Sequence, residues 1–211
     1  VSELKCHRCP ICSVFCNYDI KKLANFITYF IESDMKYLGI TKLMKLCFFA
    51  DKYHLEAYGT PILNNNYTKM PKGPVPMYVY SLIKNSKNTD SDDLESEVRE
   101  FNTHINVKER QSDDHSRFEN HNSFDRKFFS KSQMIILDRL ALEFKDIDKE
   151  AISNLSHDTS AWKSVNLHDN IPFSSMIDNN PELSKHVREN EIKKIQFNSN
   201  VQRVLEQVKT K

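Results

Sequence analysis

The sequence predicts an α+β fold that is mainly helical: one compact domain with a small β-hairpin or sheet and a C-terminal helix. Three observations lead there. Apolar residues recur at helical spacing over 23–31, 43–58 and 134–144. Alternation of the β kind is confined to 104–109, with a return strand at 117–124. Prolines and the three glycines fall between the helical stretches rather than inside them.

In chain order, the first helix spans 18–33, where Leu23, Phe26, Ile27, Phe30 and Ile31 form a wide apolar stripe. A second helix spans 40–58, with Thr41 suited to its N-cap and Leu43, Leu46, Cys47, Ala50, Tyr53, His54 and Tyr58 at helical spacing. Gly59 sits at the C′ position and Pro61 forbids continuation. Residues 60–76 read as extended, because Pro71, Pro74 and Pro76 exclude a regular helix. A short helix follows over 77–85, carrying Val79, Leu82 and Ile83. The polar, acidic stretch 85–96 has no periodicity and reads as a loop or linker. Ser130 is an N-cap for a helix over 131–144, where Met134, Leu137, Ala141 and Phe144 share a face. Asp148 starts another helix, with Ile152 and Leu155. Pro172 and Pro181 precede a last helix from Leu183, whose apolar positions Val187, Ile195, Val201, Leu205 and Val208 make a thin, interrupted stripe.

This organisation divides the 211 residues into a cysteine-rich N-terminal extension (1–17), a central domain (18–173) and a C-terminal helical extension (174–211). With 30 Lys and Arg against 29 acids, net charge argues neither for nor against nucleic acid. The distribution is uneven: ten Lys face five acids over 19–87, and ten acids face four bases over 88–120. Such a dipole either orients a partner or marks two solvated faces. No run of eighteen apolar residues suggests a membrane span, and residues 1–17 lack a secretory apolar core, so a cytoplasmic protein is the expectation. The scarcity of glycine excludes P-loop and dinucleotide fingerprints.

One block carries more information than the rest. It contains Lys-Leu-x-Lys-Leu at 42–46, Phe49-Ala50-Asp51, Tyr53-His54-Leu55, Tyr58-Gly59-x-Pro61 and Gly73-Pro74-Val75-Pro76. Leu155-Ser156-His157, Ala161-Trp162-Lys163 and Ile171-Pro172 follow in order. Together these motifs resemble the SocA-like antitoxin family, the Panacea domain, from about Asp19 to Pro172. The resemblance implies a phage- or toxin–antitoxin-associated, non-enzymatic protein-binding module that neutralises a cognate toxin by contact or hands it to a protease as an adaptor. Its motif positions here are Lys42, Asp51, His54, Lys72, Gly73, Pro74 and Trp162, with a partner-binding or a structural role.

Read as chemistry, Asp51 and His54 lie three apart on one helical face, close enough for a carboxylate to orient an imidazole. No nucleophile or metal motif stands beside them, which favours a structural hydrogen bond securing the helix against the Gly-Pro loop. Lys72-Gly73-Pro74 reads either as a fold-defining turn or as a rigid loop presenting Lys72. Trp162 is a core anchor or a partner hot spot. Cys6, Cys9, Cys12 and Cys16 have the C-x2-C-x2-C-x3-C spacing of iron–sulfur runs and would also suit zinc, against the alternative of a reduced, metal-free tail. Cys47 falls on the core stripe of the second helix. No cofactor is expected apart from that cluster. A DNA-binding regulator is the alternative reading, but the long connection between the second and third helices does not suit a helix-turn-helix.

Overall fold

The computed structural model describes residues 19–86, 95–108 and 117–209. Helix α1 (Ile20–Glu32) begins where Asp19 accepts the Lys22 N–H at 2.9 Å. Helix α2 (Ile40–Tyr58) ends at Gly59, whose φ of +74° is left-handed and whose N–H returns to the Leu55 carbonyl. Its start differs from expectation. Ile40 packs against the core and is already helical, so Gly39 is the N-cap residue and Thr41 lies inside the first turn.

A hairpin follows α2. Strand β1 (Tyr67–Met70) pairs antiparallel with β2 (Gly73–Pro76), Tyr67 opposite Pro76 and Met70 opposite Gly73. On its other side β1 pairs with β5 (Asn170–Ile171), giving the order β2-β1-β5. The extended character of 60–76 was legible, but the return of a strand from a hundred residues downstream was not. Helix α3 is Met77–Asn85, and α4 (Glu95–Asn102) overlaps the stretch read as a loop only at 95–96, running on through residues to which the sequence assigned no element; 87–94 of that stretch lie outside the described residues. Helix α4 buries two apolar residues, Val98 and Phe101, among polar neighbours. The hairpin expected beyond it is present: β3 (Ile105–Val107) pairs with β4 (Phe118–Asn120), Val107 opposite Phe118.

Helix α5 (Lys131–Phe144) opens on a capping box, Ser130 and Gln133 each satisfying the other's backbone N–H. Asp148 caps α6 (Lys149–His157) by accepting from Glu150 and Ala151, and Thr159 caps the single turn α7 (Ser160–Lys163). Helix α8 (Pro181–Lys209) is held by more than its thin apolar stripe. Val187 is buried, Ser184 donates to the Ser174 carbonyl, and Glu191 accepts the N–H groups of Phe173 and Ser174.

One contiguous core joins α1, α2, α4, α5 and both sheets, with α2 at its centre. Within it Phe49 stacks on Phe144 at 5.0 Å, Phe48 meets Tyr67 edge-on at 5.5 Å, and Phe26 meets Phe30 at 4.9 Å. Two expected stripe members lie outside it: Tyr58 is 47 % exposed and Leu155 45 % exposed. Replacing Phe49 by Ala removes the ring stacked on Phe144 and leaves a cavity at the helix crossing. A loss of about 3–5 kcal/mol in unfolding free energy is expected by urea denaturation, against about 2–5 kcal/mol for Leu46→Ala.

Candidate partner-binding surface

Every residue from Lys42 to Lys52 on α2 is buried, including three lysines and an aspartate. A charge inside a protein is tolerated only when hydrogen bonds replace its water. Each of these side chains grips the backbone of a different segment, Lys45 through a single acceptor. Lys42 Nζ donates to the carbonyls of Lys36 and Ile147, both at 2.6 Å, and of Lys145 at 3.3 Å, joining the entry to α2 to the α5–α6 connection. Lys52 Nζ donates to the Met176 carbonyl at 2.7 Å and to Asp178 at 2.6 Å. Asp51 accepts from the N–H groups of Ile62, Leu63, Asn64 and Asn65 and from the Tyr67 hydroxyl, so its oxygens organise the whole turn that enters β1. Burial pushes the Asp51 carboxyl up, opposed by these N–H and O–H donors.

Asp51 and His54 therefore do not act as a pair. His54 Nδ1 donates to the Thr60 carbonyl at 2.5 Å, its Nε2 lies 3.1 Å from Ser132 Oγ, and its ring packs on Tyr58. The expectation of a structural link to the loop after Gly59 holds for each residue separately.

Lys45, the second lysine of the 42–46 motif, was given no role from the sequence, and it makes the most telling contact. Its Nζ donates to the Pro74 carbonyl in β2 at 2.7 Å. Burial lowers its pKa to about 7, with no carboxylate to oppose the shift, while burial lowers that of Lys42 to about 8 against the pull of Asp146 and Asp148. Gly73 makes this approach possible. Its φ is +95°, and a Cβ there would lie 2.2 Å from Ser156 Oγ and 2.8 Å from Lys45 Cε. The glycine thus lets β2 settle directly on α2 and α6, while Pro74 and Pro76 deny the edge strand backbone donors.

Above this seat the tip of the hairpin, Pro71 and Lys72, is exposed. Trp162 is half-buried beside it and is not a core residue, because it leans on the hairpin rather than into the helices. Its Nε1 donates to the Met70 carbonyl at 3.4 Å, Lys69 Nζ lies 4.0 Å over its ring, and His157 stacks on it at 4.3 Å. Lys69 is itself fixed by donation to the Val165 carbonyl at 2.7 Å. Burial, with Lys45 and Lys69 nearby, lowers the pKa of His157. Lys72, Trp162, His157 and Lys69, brought together from the hairpin, α6 and α7, form a rigid aromatic and basic surface.

Of the motif residues, then, Lys42, Asp51 and His54 build the frame, Gly73 and Pro74 seat the hairpin, and Lys72 and Trp162 reach the surface. Lys45 and His157 fall within the quoted motifs but were given no role, and Lys69 was missed. A lysine on a helix that is apolar all round was the available signal for Lys45. The three buried lysines also remove part of the basic excess read over 19–87 from the surface. A buried α2 followed by a hairpin is not a helix-turn-helix. Cys6, Cys9, Cys12 and Cys16 lie outside the described residues, and among those described no His, Cys, Asp and Glu cluster has the arrangement of a metal site. Cys47 is fully buried and its thiol is pushed up by burial, as expected of a packing residue.

A model of the family described as antitoxin SocA-like, Panacea domain, matches residues 43–163, more than half of the chain. The matched segment encloses Lys45, Asp51, the β1–β2 hairpin, His157 and Trp162. No curated protein and no solved structure matches the chain.

Two consequences can be measured. Because the folded pKa of Lys45 lies below its unfolded value of 10.5, the native state holds fewer protons between about pH 7 and 10.5. Stability should therefore rise with pH through that window, by roughly 1 kcal/mol per unit for this group. Lys45→Met should flatten the rise between pH 7 and 8.5, measured by urea denaturation at each pH. Gly73→Ala drives a methyl into Ser156 and Lys45 at a left-handed φ. It should lower the melting temperature and increase amide exchange in β1 and β2 before α1 or α4 is affected.

Proposed function

The chain belongs to the SocA-like antitoxin family, the Panacea domain, and from that premise we propose that it is a protein-binding module that neutralises a cognate protein toxin. The observation that carries this reading is the family match over the segment that builds the braced hairpin and its neighbouring Trp162. Such a surface suits recognition. Lys72 stands at the tip, and Trp162 offers an aromatic anchor whose orientation is held by three contacts. Ordering entropy that would weaken binding has largely been spent in folding. The buried lysines, Asp51 and His54 are engaged by the frame, which supports a binding rather than a catalytic role.

Neutralisation by direct contact and delivery of the toxin to a protease both use such a surface, and they differ in what happens to the toxin afterwards. Among the described residues no helix is long and apolar enough to cross a membrane.

The test is co-expression in a bacterial host with the product of the adjacent gene. Growth should arrest with that product alone and recover with this protein. The double variant Lys72→Glu, Trp162→Ala should lose rescue by at least tenfold in plating efficiency while its melting temperature stays near wild type. Absence of rescue by the wild type would overturn the antitoxin reading; full rescue by the variant would move the contact away from the hairpin. Pulse-chase of the toxin separates the two mechanisms, since its half-life shortens only if it is delivered to a protease.

A further inference from the structure

His157, the last residue of α6, combines an aromatic contact with an unpaired ring nitrogen. Its imidazole stacks on Trp162 at 4.3 Å with the ring planes 28° apart, and Lys69 Nζ stands 4.0 Å from the same indole. Trp162 in turn donates to the Met70 carbonyl, so imidazole, indole and β1 are joined by successive contacts. Among the described residues, His157 Nε2 is buried and has no hydrogen-bond partner. The neutral ring suits this seat, because it leaves at most a lone pair unused there. A protonated ring would carry an N–H at that atom with no acceptor, and a desolvated charge without partners is costly. The surrounding charges act in the same direction. Lys45 from α2 and Lys69 from β1 both oppose a cation at His157. Strand β2, Gly73–Pro76, carries no titratable side chain. Asp158 favours the charged ring, as does the carbonyl end of α6, but Asp158 is exposed and its carboxylate is shared with Lys163 of α7. Burial and the two lysines prevail, and the imidazole is held below its ordinary value of 6.5.

We propose that His157 is a proton-operated latch on the hairpin surface: a proton taken up at Nε2 drives the ring off Trp162 into water, and the hairpin tip loosens. The consequence for partner binding rests on the reading of this surface as the toxin contact; the latch itself does not. In water both ring nitrogens of the imidazolium are solvated, and its charge is screened from Lys45 and Lys69. The released ring binds a proton at the ordinary value and the stacked ring only at a lower one. Protons therefore favour release as pH falls below 6.5. Trp162 then keeps its N–H contact to Met70, 3.4 Å long, and Lys69 over its ring, but loses the aromatic neighbour that fixes its orientation. A partner that uses the indole must order it again on binding, which weakens the complex in acid. Helix α6 stays in place during the change, because buried Ile152 and Ser156 and the Asp148 cap hold it independently of His157.

Trp162 is the sole tryptophan, so the intrinsic fluorescence of the full chain reports this contact directly. Titrated from about pH 8 to about pH 5, the wild type should show a red shift of emission while its far-ultraviolet circular dichroism stays constant. The midpoint should lie below 6.5 and coincide with the titration of the His157 Cε1 proton by NMR, the resonance identified by its loss in His157→Phe. His157→Phe keeps a ring over Trp162 and has no proton to take, so the red shift should vanish. The variant also separates the latch from Asp51, whose carboxyl is pushed up by burial and titrates in acid in both proteins. Amide exchange in β1 and β2, corrected for intrinsic rates, should rise between about pH 7.5 and about pH 5.5 in the wild type and not in His157→Phe. Over the same interval the affinity for the product of the adjacent gene should fall about fivefold for the wild type and stay level for the variant. A midpoint at or above 6.5, a red shift that persists in His157→Phe, or hairpin exchange indifferent to pH would overturn the proposal. If the adjacent product binds at neither pH, the antitoxin reading fails, and fluorescence and exchange still decide the latch.

Discussion

The fold depends on how the buried polar side chains of α2 are hydrogen-bonded. An ammonium or carboxylate inside a core destabilises it by several kcal/mol unless its hydrogen-bonding capacity is used. Here Lys42, Lys45, Asp51 and Lys52 are all placed in the central helix, and all reach main-chain groups of segments that have little apolar surface of their own. Solvation of the charge and ordering of the connector are one event. Removing any one side chain would leave the carbonyls or N–H groups that it satisfies without their protein partner. The arrangement also explains why a chain with so many irregular connections packs as one core: the loops are tied to the helix that the core is built around.

The same ties determine what the surface can do. The β1–β2 hairpin has only four residues a strand and a third strand of two, too little to be stable by itself. It is stable because Asp51 organises its entrance, Tyr67 buries at its base, and Lys45 with Gly73 closes its far strand onto α2 and α6. Its tip is exposed yet supported from beneath, and Trp162 is held upright against it. A short motif in the sequence thus becomes a pre-ordered projection, at the cost of a lysine held near its deprotonation point.

Charge read along the chain and charge on the folded surface are different quantities here. Ten lysines over 19–87 suggest a basic face, but three of them point into the core and serve backbone carbonyls. Helix α5 shows the reverse. Its apolar face was expected to point inward, and it does, but Ile135 and Leu142 were not part of that expectation and form a second, outward stripe.

Local chemistry in the sequence determined the regular elements. Gly59 with Pro61 stops α2, Ser130 starts α5, Asp148 starts α6, and apolar spacing identifies the inward faces of α1 and α5, because caps and periodicity are properties of a few neighbouring residues. The motif order around Asp51, Gly73 and Trp162 likewise pointed to the family. Only the tertiary structure decided what those residues do. That Lys45 meets Pro74, that Asp51 ignores His54 and grips the turn at 62–65, that β5 joins β1, and that Trp162 lies on a hairpin rather than in the core are all contacts between distant segments. A lysine in an apolar stripe carries no mark of its eventual acceptor. That acceptor is a backbone carbonyl, identical at every position in the chain, and only folding selects which one comes within reach.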